Sequence, residues 1–296
     1  MTDSSECSYT HRYAIALAYD GTKYAGWQRQ PNAPTVAAVV EAAIAKITGS
    51  PVKLTGAGRT DAGVHARQQI AHWDAEKPIK TPFLHRLNSV LPSDVRATAL
   101  YQADSLFHAR HSALRRTYRY FIHWVPDPFC RAYSLFLPAH PNLQILNQAA
   151  DLLLGSHNFI GFTKEPANQP NLICQVYQAH WIDLQSGKAF FEITANRFLR
   201  AMVRALVGAQ LRVSAGKLSW DTFKAALYKG DRGWGMHLAQ PQGLFLWSVE
   251  YPPQSLYLLE GYAIFTIESS SAPGSASEPA SDTACPSAGG SDGGTG

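Results

Sequence analysis

The feature that most constrains the fold is the order in which two periodicities alternate along the chain. Tyr13 to Tyr19 (YAIALAY) alternates like a half-buried strand, and Thr35 to Ile47 (TVAAVVEAAIAKI) has helical spacing with Thr35 as N-cap after Pro34. Strands are expected at Val52–Ala57 and Gln68–Trp73, a helix at Thr81–Val90, and a strand at Arg96–Ala103. This β-α-β-β-α-β order is that of a ferredoxin-like unit. A second mixed set follows, with strands at Thr117–Trp124, Cys174–Leu184, Ala189–Ala195 and Leu244–Tyr251. Helices are expected between them at Leu143–Leu154 and Arg197–Val213. The economical reading is an α+β fold of two α/β halves with antiparallel sheets, whose shared groove is the natural place for a ligand.

The boundaries that follow are a flexible N-terminus at 1–11, an N-terminal half at 12–112, a C-terminal half at 113–252, a packed extension of no assigned role at 253–267, and a disordered tail at 268–296. The tail is almost wholly Ser, Ala, Gly, Pro and acid, too poor in apolar surface to offset its ordering entropy. With 46% hydrophobic residues among 296, the rest suffices for a large core. No apolar run approaches the roughly 20 residues of a membrane span, and the first residues lack a signal peptide's apolar stretch, so a cytoplasmic protein is expected. Cys7, Cys130, Cys174 and Cys285 are far apart and contain no CxxC pair, which argues against a disulfide framework or a zinc site. The formal charge is +4, yet residues 253–296 hold five acids and no Lys or Arg, which leaves +9 on residues 1–252. A body this basic is compatible with a polyanion such as nucleic acid.

Chemistry concentrates in three segments. Gly56 to Gln69 (GAGRTDAGVHARQQ) sets one carboxylate among three glycines, two arginines and a histidine, directly after a strand. Glycines there permit unusual backbone conformations and close approach of a ligand. Arg59, two residues before Asp61, would hold the carboxylate ionised if its guanidinium came within about 4 to 6 Å, as suits a nucleophile or base. The same residues also suit an Asp that caps a turn and an Arg in a structural ion pair, and composition alone does not separate the two. In Asn196 to Val213, Arg197, Arg200 and Arg204 recur at helical spacing beside an apolar arc, either to reach a carboxylate and phosphates or as a solvated face. In Phe107 to Tyr120 (FHARHSALRRTYRY), Arg110, Arg115, Arg116 and Arg119 interleave with His108, His111, Tyr118 and Tyr120, a pattern suited to RNA phosphates and unpaired bases. Tyr118 could serve as a general acid or base, or as a core tyrosine. His108 and His111 lack further donors for a metal, and no Walker loop or Rossmann fingerprint is present.

Together these segments resemble the tRNA pseudouridine synthase A (TruA) family from about Tyr13 to Tyr251. YDGTKYAGWQRQ (Tyr19–Gln30), GAGRTDAGVHA (Gly56–Ala66), FHARHSALRRTYRY, FLRAMVRALVG (Phe198–Gly208) and GLFLWSVEY (Gly243–Tyr251) stand in the family's order. The resemblance implies two ferredoxin-like halves around a central basic cleft (the pseudouridine synthase fold), a homodimer, no cofactor and no metal. It implies a tRNA substrate, with uridines 38, 39 and 40 of the anticodon stem-loop isomerised to pseudouridine. By motif, Asp61 is the catalytic carboxylate, Tyr118 contacts the substrate, and Arg204 pairs with Asp61. Arg59, Arg110, Arg116 and Arg200 would bind substrate RNA. Arg200 stands where the family helix varies, and the chain beyond Tyr251 lies outside the shared region.

The isomerisation breaks N1–C1′, turns the base and rejoins it through C5. Asp61 could attack C1′, add to C6, or abstract a sugar proton, and the sequence does not choose. A non-catalytic tRNA-binding protein and a nucleoside hydrolase are the competing classes. The first would be expected to have lost the carboxylate, and the second would have little use for so many interleaved arginines.

Overall fold

The structure, a computed structural model, describes residues 11–168 and 170–262. The expectations for the N-terminus before residue 11, for 263–267 of the extension, for the tail, and for Cys7 and Cys285 lie outside them. The N-terminal elements are β1 (His11–Tyr19), α1 (Val36–Thr48), β2 (Thr55–Gly56), β3 (His65–Ala75), α2 (Phe83–Val90) and β4 (Val95–Ala103). They are followed by β5 (Arg115–His123), β6 (Leu135–Phe136), α3 (Leu143–Asp151), β7 (Gly155–Asn158), β8 (Ile173–Gln185) and β9 (Lys188–Ala195). The last are α4 (Met202–Ser214), α5 (Trp220–Tyr228), β10 (Leu244–Glu250) and β11 (Leu256–Gly261). The strands form one sheet in the order β11-β4-β1-β3-β10-β5-β9-β8-β7, with β2 on β3 and β6 on β5.

Helix α1 buries Val36, Ala37, Val40, Ala43 and Ile44, the face that its spacing marks. Thr35 is its N-cap by backbone, but its side chain makes no capping bond, so the cap expected there is conformational only. Glu41, on the buried face, accepts the Leu54 N–H at 2.9 Å and meets Arg29 at 3.3 Å, tying α1 to the approach to β2. Helix α2 starts two residues later than expected. Its N-terminus is capped from β11, where the two Glu260 oxygens accept the Phe83 and Leu84 N–H groups at 2.7 and 2.9 Å. The part of the extension that is described is thus an edge strand, antiparallel to β4.

The joint that matters for function is short. Most neighbouring long strands are antiparallel, but β10 runs parallel to β3 through Phe245↔His65 and Leu246↔Ala66. On its other side β10 pairs antiparallel with β5, with Leu246 opposite Tyr118. The start of β3, immediately after the acid loop, is therefore two strands away from Tyr118. Helices α3 and α4 pack together, as do α4 and α5. Helix α4 is anchored by Met202, Leu206 and Val207, each fully buried, and truncating such side chains costs about 2–5 kcal/mol for Leu or Met.

One helix differs from its sequence expectation in a way that moves candidate residues. Periodicity extends a helix back to Arg197, but α4 begins at Met202, and Ala201 lies in the left-handed region at φ 60°. The Arg200 carbonyl accepts from Lys164 N–H at 3.2 Å and Thr163 Oγ1 at 3.0 Å, bonds to another segment that stand where helical bonds would be. Arg197 and Arg200 are therefore not on the helix, and the expected basic stripe does not form.

Candidate active site

The acid loop is built on the segment that follows β1. Gly21 and Gly26 sit against it so closely that an added Cβ would lie 2.0 Å from the Val64 carbonyl oxygen and 2.4 Å from that of Thr60. Only glycine admits this approach, and Gly26 also needs its φ of +93°. Trp27 N–H donates to the Thr60 carbonyl at 3.1 Å, Gly63 N–H to the Tyr24 carbonyl at 3.3 Å, and the Tyr19 and Thr60 hydroxyls share a hydrogen bond of 2.8 Å. Within the loop, Gly63 takes φ +74° and Val64 N–H closes back on the Asp61 carbonyl at 3.1 Å. On the far side, Gln69 Nε2 donates to the Gly58 carbonyl at 2.9 Å. The loop bearing Asp61 is thus held at Gly58, Thr60 and Gly63. Reading the loop alone missed Gly21, Gly26 and Trp27. Their signal was the density of Gly and aromatic residues in YDGTKYAGWQ.

Asp61 meets Arg204, in the first turn of α4, with Arg204 Nη1 3.2 Å from Asp61 Oδ2. Arg204 Nε donates to the Ala239 carbonyl at 2.7 Å, and Ala239 N–H returns a bond to the Arg204 carbonyl at 3.0 Å. The guanidinium is thereby aimed by backbone on a separate segment. Asp61 remains 31% exposed in its side chain, accessible to an incoming group, whereas Arg204 is 15% exposed. The pairing turns Oδ2 of the carboxylate toward the guanidinium and leaves the rest of the group open to an incoming substrate.

Tyr118 projects from β5 into the same region. It is buried, with its ring edge-on to Phe198 at 5.0 Å between centroids. Burial pushes its phenol well above the usual tyrosine range, the nearby Arg116 cation opposes this, and the Asp61 charge adds to it. A phenol so placed is a neutral hydrogen-bonding and stacking group near neutral pH. Asp61, Arg204 and Tyr118, the three candidates for chemistry, are brought into one neighbourhood.

The other arginines divide. Arg59 is exposed and forms no ion pair among the described residues, so the carboxylate partner is Arg204 and not the sequence-adjacent Arg59. The loop turns between the two, and proximity along the chain does not become proximity in space. Arg110 is exposed, and Arg200, also exposed, is paired with Glu165. Arg116, expected to meet phosphate, is instead buried with its terminal nitrogens on backbone carbonyls. His108 Nδ1 accepts the N–H groups of Arg110 and His111, a use as a turn acceptor. A cavity of about 270 Å³ lined by Asp20, His65, Arg67, Asp94, Arg96 and Tyr133 among others contains none of the three candidates for chemistry. Asp20 there is already engaged by Thr22 and Tyr133.

The family profile described as tRNA pseudouridine synthase matches residues 15–112 and 149–252. Among curated relatives, tRNA pseudouridine synthase A of Chlorobaculum tepidum is 41% identical over 80% of this chain and 96% of its own. That of Porphyromonas gingivalis is 41% identical over 81% and 97%, and that of Bacteroides fragilis 39% over 82% and 97%. A solved structure titled "Structure of H/ACA RNP bound to a substrate RNA containing 2'-deoxyuridine" is 14% identical with a TM-score of 0.32, covering 67% of this chain and 44% of its own, too distant to bear on the fold. With a family match across most of the sheet and both segments that supply the ion pair, the chain belongs to the tRNA pseudouridine synthase family, a family of isomerases.

Proposed function

We propose that this protein isomerises uridine to pseudouridine at positions 38, 39 and 40 of the tRNA anticodon stem-loop, with Asp61 as the catalytic carboxylate. The observation that carries the reading is the Asp61–Arg204 pair, a partly exposed carboxylate on a loop held at several points, in a chain of this family. Arg204 orients Asp61, and Tyr118 contacts the uracil or assists loss of the C5 proton. The target nucleotide is flipped out of its stack at a cost of a few kcal/mol, offset by stacking and by phosphate contacts from exposed arginines such as Arg59, Arg110 and Arg200. The reaction needs no redox change and no external group, so a cofactor-free and metal-free site suffices.

The fold reading that goes with this is two ferredoxin-like halves around a basic cleft, divided near residue 112. It is supported by strand order, β4-β1-β3-β2 among the first strands and β10-β5-β9-β8 among the later ones, the same pattern twice. A cytoplasmic homodimer completes the proposal. No described helix is long and apolar enough to cross a membrane.

The test is incubation with an unmodified tRNA carrying uridines in the lower anticodon arm, then carbodiimide mapping of pseudouridine, with Asp61→Asn in parallel. Signal at those uridines from the unmutated protein alone is the expected result. Salt-sensitive tRNA binding without any product would favour a non-catalytic binding protein, and free uracil a hydrolase.

A further inference from the structure

Arg116 is 8% exposed, and no carboxylate pairs with it among the described residues. The charged groups it faces are Arg110 and Arg197, with the phenols of Tyr118 and Tyr251, and burial lowers its pKa from the usual arginine value. A buried cation without a counter-ion is costly, and an apolar side chain of similar size would often serve stability as well or better. What the guanidinium does have is four carbonyl acceptors. Nη1 donates to Ala113 at 2.9 Å and Asn196 at 2.7 Å, and Nη2 donates to Ala57 at 3.2 Å and to Arg110.

Those carbonyls belong to three segments. Ala57 stands four residues before Asp61, at the entrance to the acid loop. Asn196 follows β9 and opens the non-helical stretch that ends at Ala201, where α4 starts toward Arg204. Arg110 and Ala113 belong to the turn before β5. Arg116 and Tyr118 are two apart on β5, so both project from the same side of the strand. One side chain therefore ties together the backbone leading to Asp61, the backbone leading to Arg204, and the strand carrying Tyr118.

We propose that Arg116 is a positioning residue, a four-carbonyl clasp that sets Asp61 against Arg204 and Tyr118 through the backbone, touching neither substrate nor Asp61. The inference rests on the assignment of Asp61 as the catalytic carboxylate. A planar guanidinium with divergent donors fits the role, because lysine's single ammonium cannot reach four carbonyls in three directions.

The experiment uses the full chain and an unmodified tRNA, with Arg116→Gln, Arg116→Lys and Asp61→Asn assayed beside the unmutated protein. Thermal unfolding sets a temperature at which the variants are folded. Single-turnover rate with enzyme in excess and tRNA Kd are then measured separately. For Arg116→Gln the expected rate loss is about 10²-fold with Kd changed less than about threefold, as for a misplacement on the order of 1 Å. If Gln does not fold at the assay temperature, Arg116→Lys, which retains the cation and part of the bonding, decides with an expected loss of about tenfold. A folded variant at the unmutated rate, or a loss confined to Kd, would overturn the clasp, the latter making Arg116 a phosphate contact. Should Asp61→Asn itself keep the full rate, the assignment of Asp61 fails. If Asp61→Asn is inactive while the Arg116 variants are unimpaired, only the clasp fails.

Discussion

Arg204 holds Asp61 Oδ2 at 3.2 Å with one nitrogen and the Ala239 carbonyl at 2.7 Å with another, a relationship between a helix, an acid loop and a third segment across 143 positions of sequence. Because both ends of the ion pair are partly exposed, it contributes at most about 1 kcal/mol to stability. Its weight lies in orientation. Arg204→Lys keeps the charge but cannot serve both acceptors in the same geometry. The expected outcome is a single-turnover rate lower by about 10²-fold with a small shift in unfolding midpoint, read by quantifying pseudouridine against a urea titration of the same sample.

Gly26→Ala forces a Cβ to within 2.4 Å of the Thr60 carbonyl oxygen while occupying φ +93°. The loop must shift, and the strain costs about 1–3 kcal/mol. Because Thr60 adjoins Asp61, activity should fall further than the loss of stability explains. Urea unfolding and product formation on one preparation check this. Gly49→Ala is the control, since it shares positive φ but meets nothing within 4 Å.

His72 is buried, its Nδ1 accepts the Ala109 N–H at 3.1 Å, and burial with the nearby His108 and Arg12 charges lowers its pKa to about 4 from the ordinary 6.5. Between those two values the unfolded chain binds the proton and the folded one does not, so stability falls as pH drops through this window. The loss is on the order of 3 kcal/mol at most. His72→Gln keeps an acceptor without the titration, so its urea midpoint should decline less between pH 7 and 4.5 than that of the unmutated protein.

Exposed arginines that meet phosphate should appear in the salt dependence of tRNA binding. Each neutralised phosphate contributes about 0.7 to 0.9 to the log-log slope. Arg59→Ala and Arg110→Ala are each expected to reduce the slope by about that amount, and a slope unchanged in both would remove them from the interface. Titrations at several salt concentrations provide the reading.

By itself the sequence showed the β-α-β-β-α-β order of the first half and the longer elements of the second, because apolar periodicities of two and 3.6 are local properties that burial enforces, but it did not show β6, β7 or α5. Composition made Asp61, Tyr118 and Arg204 candidates with structural alternatives left open, and it was the resemblance to the family's motifs that implied their roles. Composition left open which cation meets the acid, the family's motifs implied Arg204, and the tertiary structure brings the two together. Arg59 is two residues from Asp61 yet exposed, while Arg204, on α4, is held by the Ala239 carbonyl with its guanidinium against the acid. Tertiary structure decided where α4 starts, since the Arg200 carbonyl bonds to Thr163 and Lys164, and periodicity contains nothing about that competing segment. Arg116 makes the same point from inside the core. A local run of arginines reads as an RNA surface, and only the four carbonyls that converge from distant parts of the chain turn one of them inward.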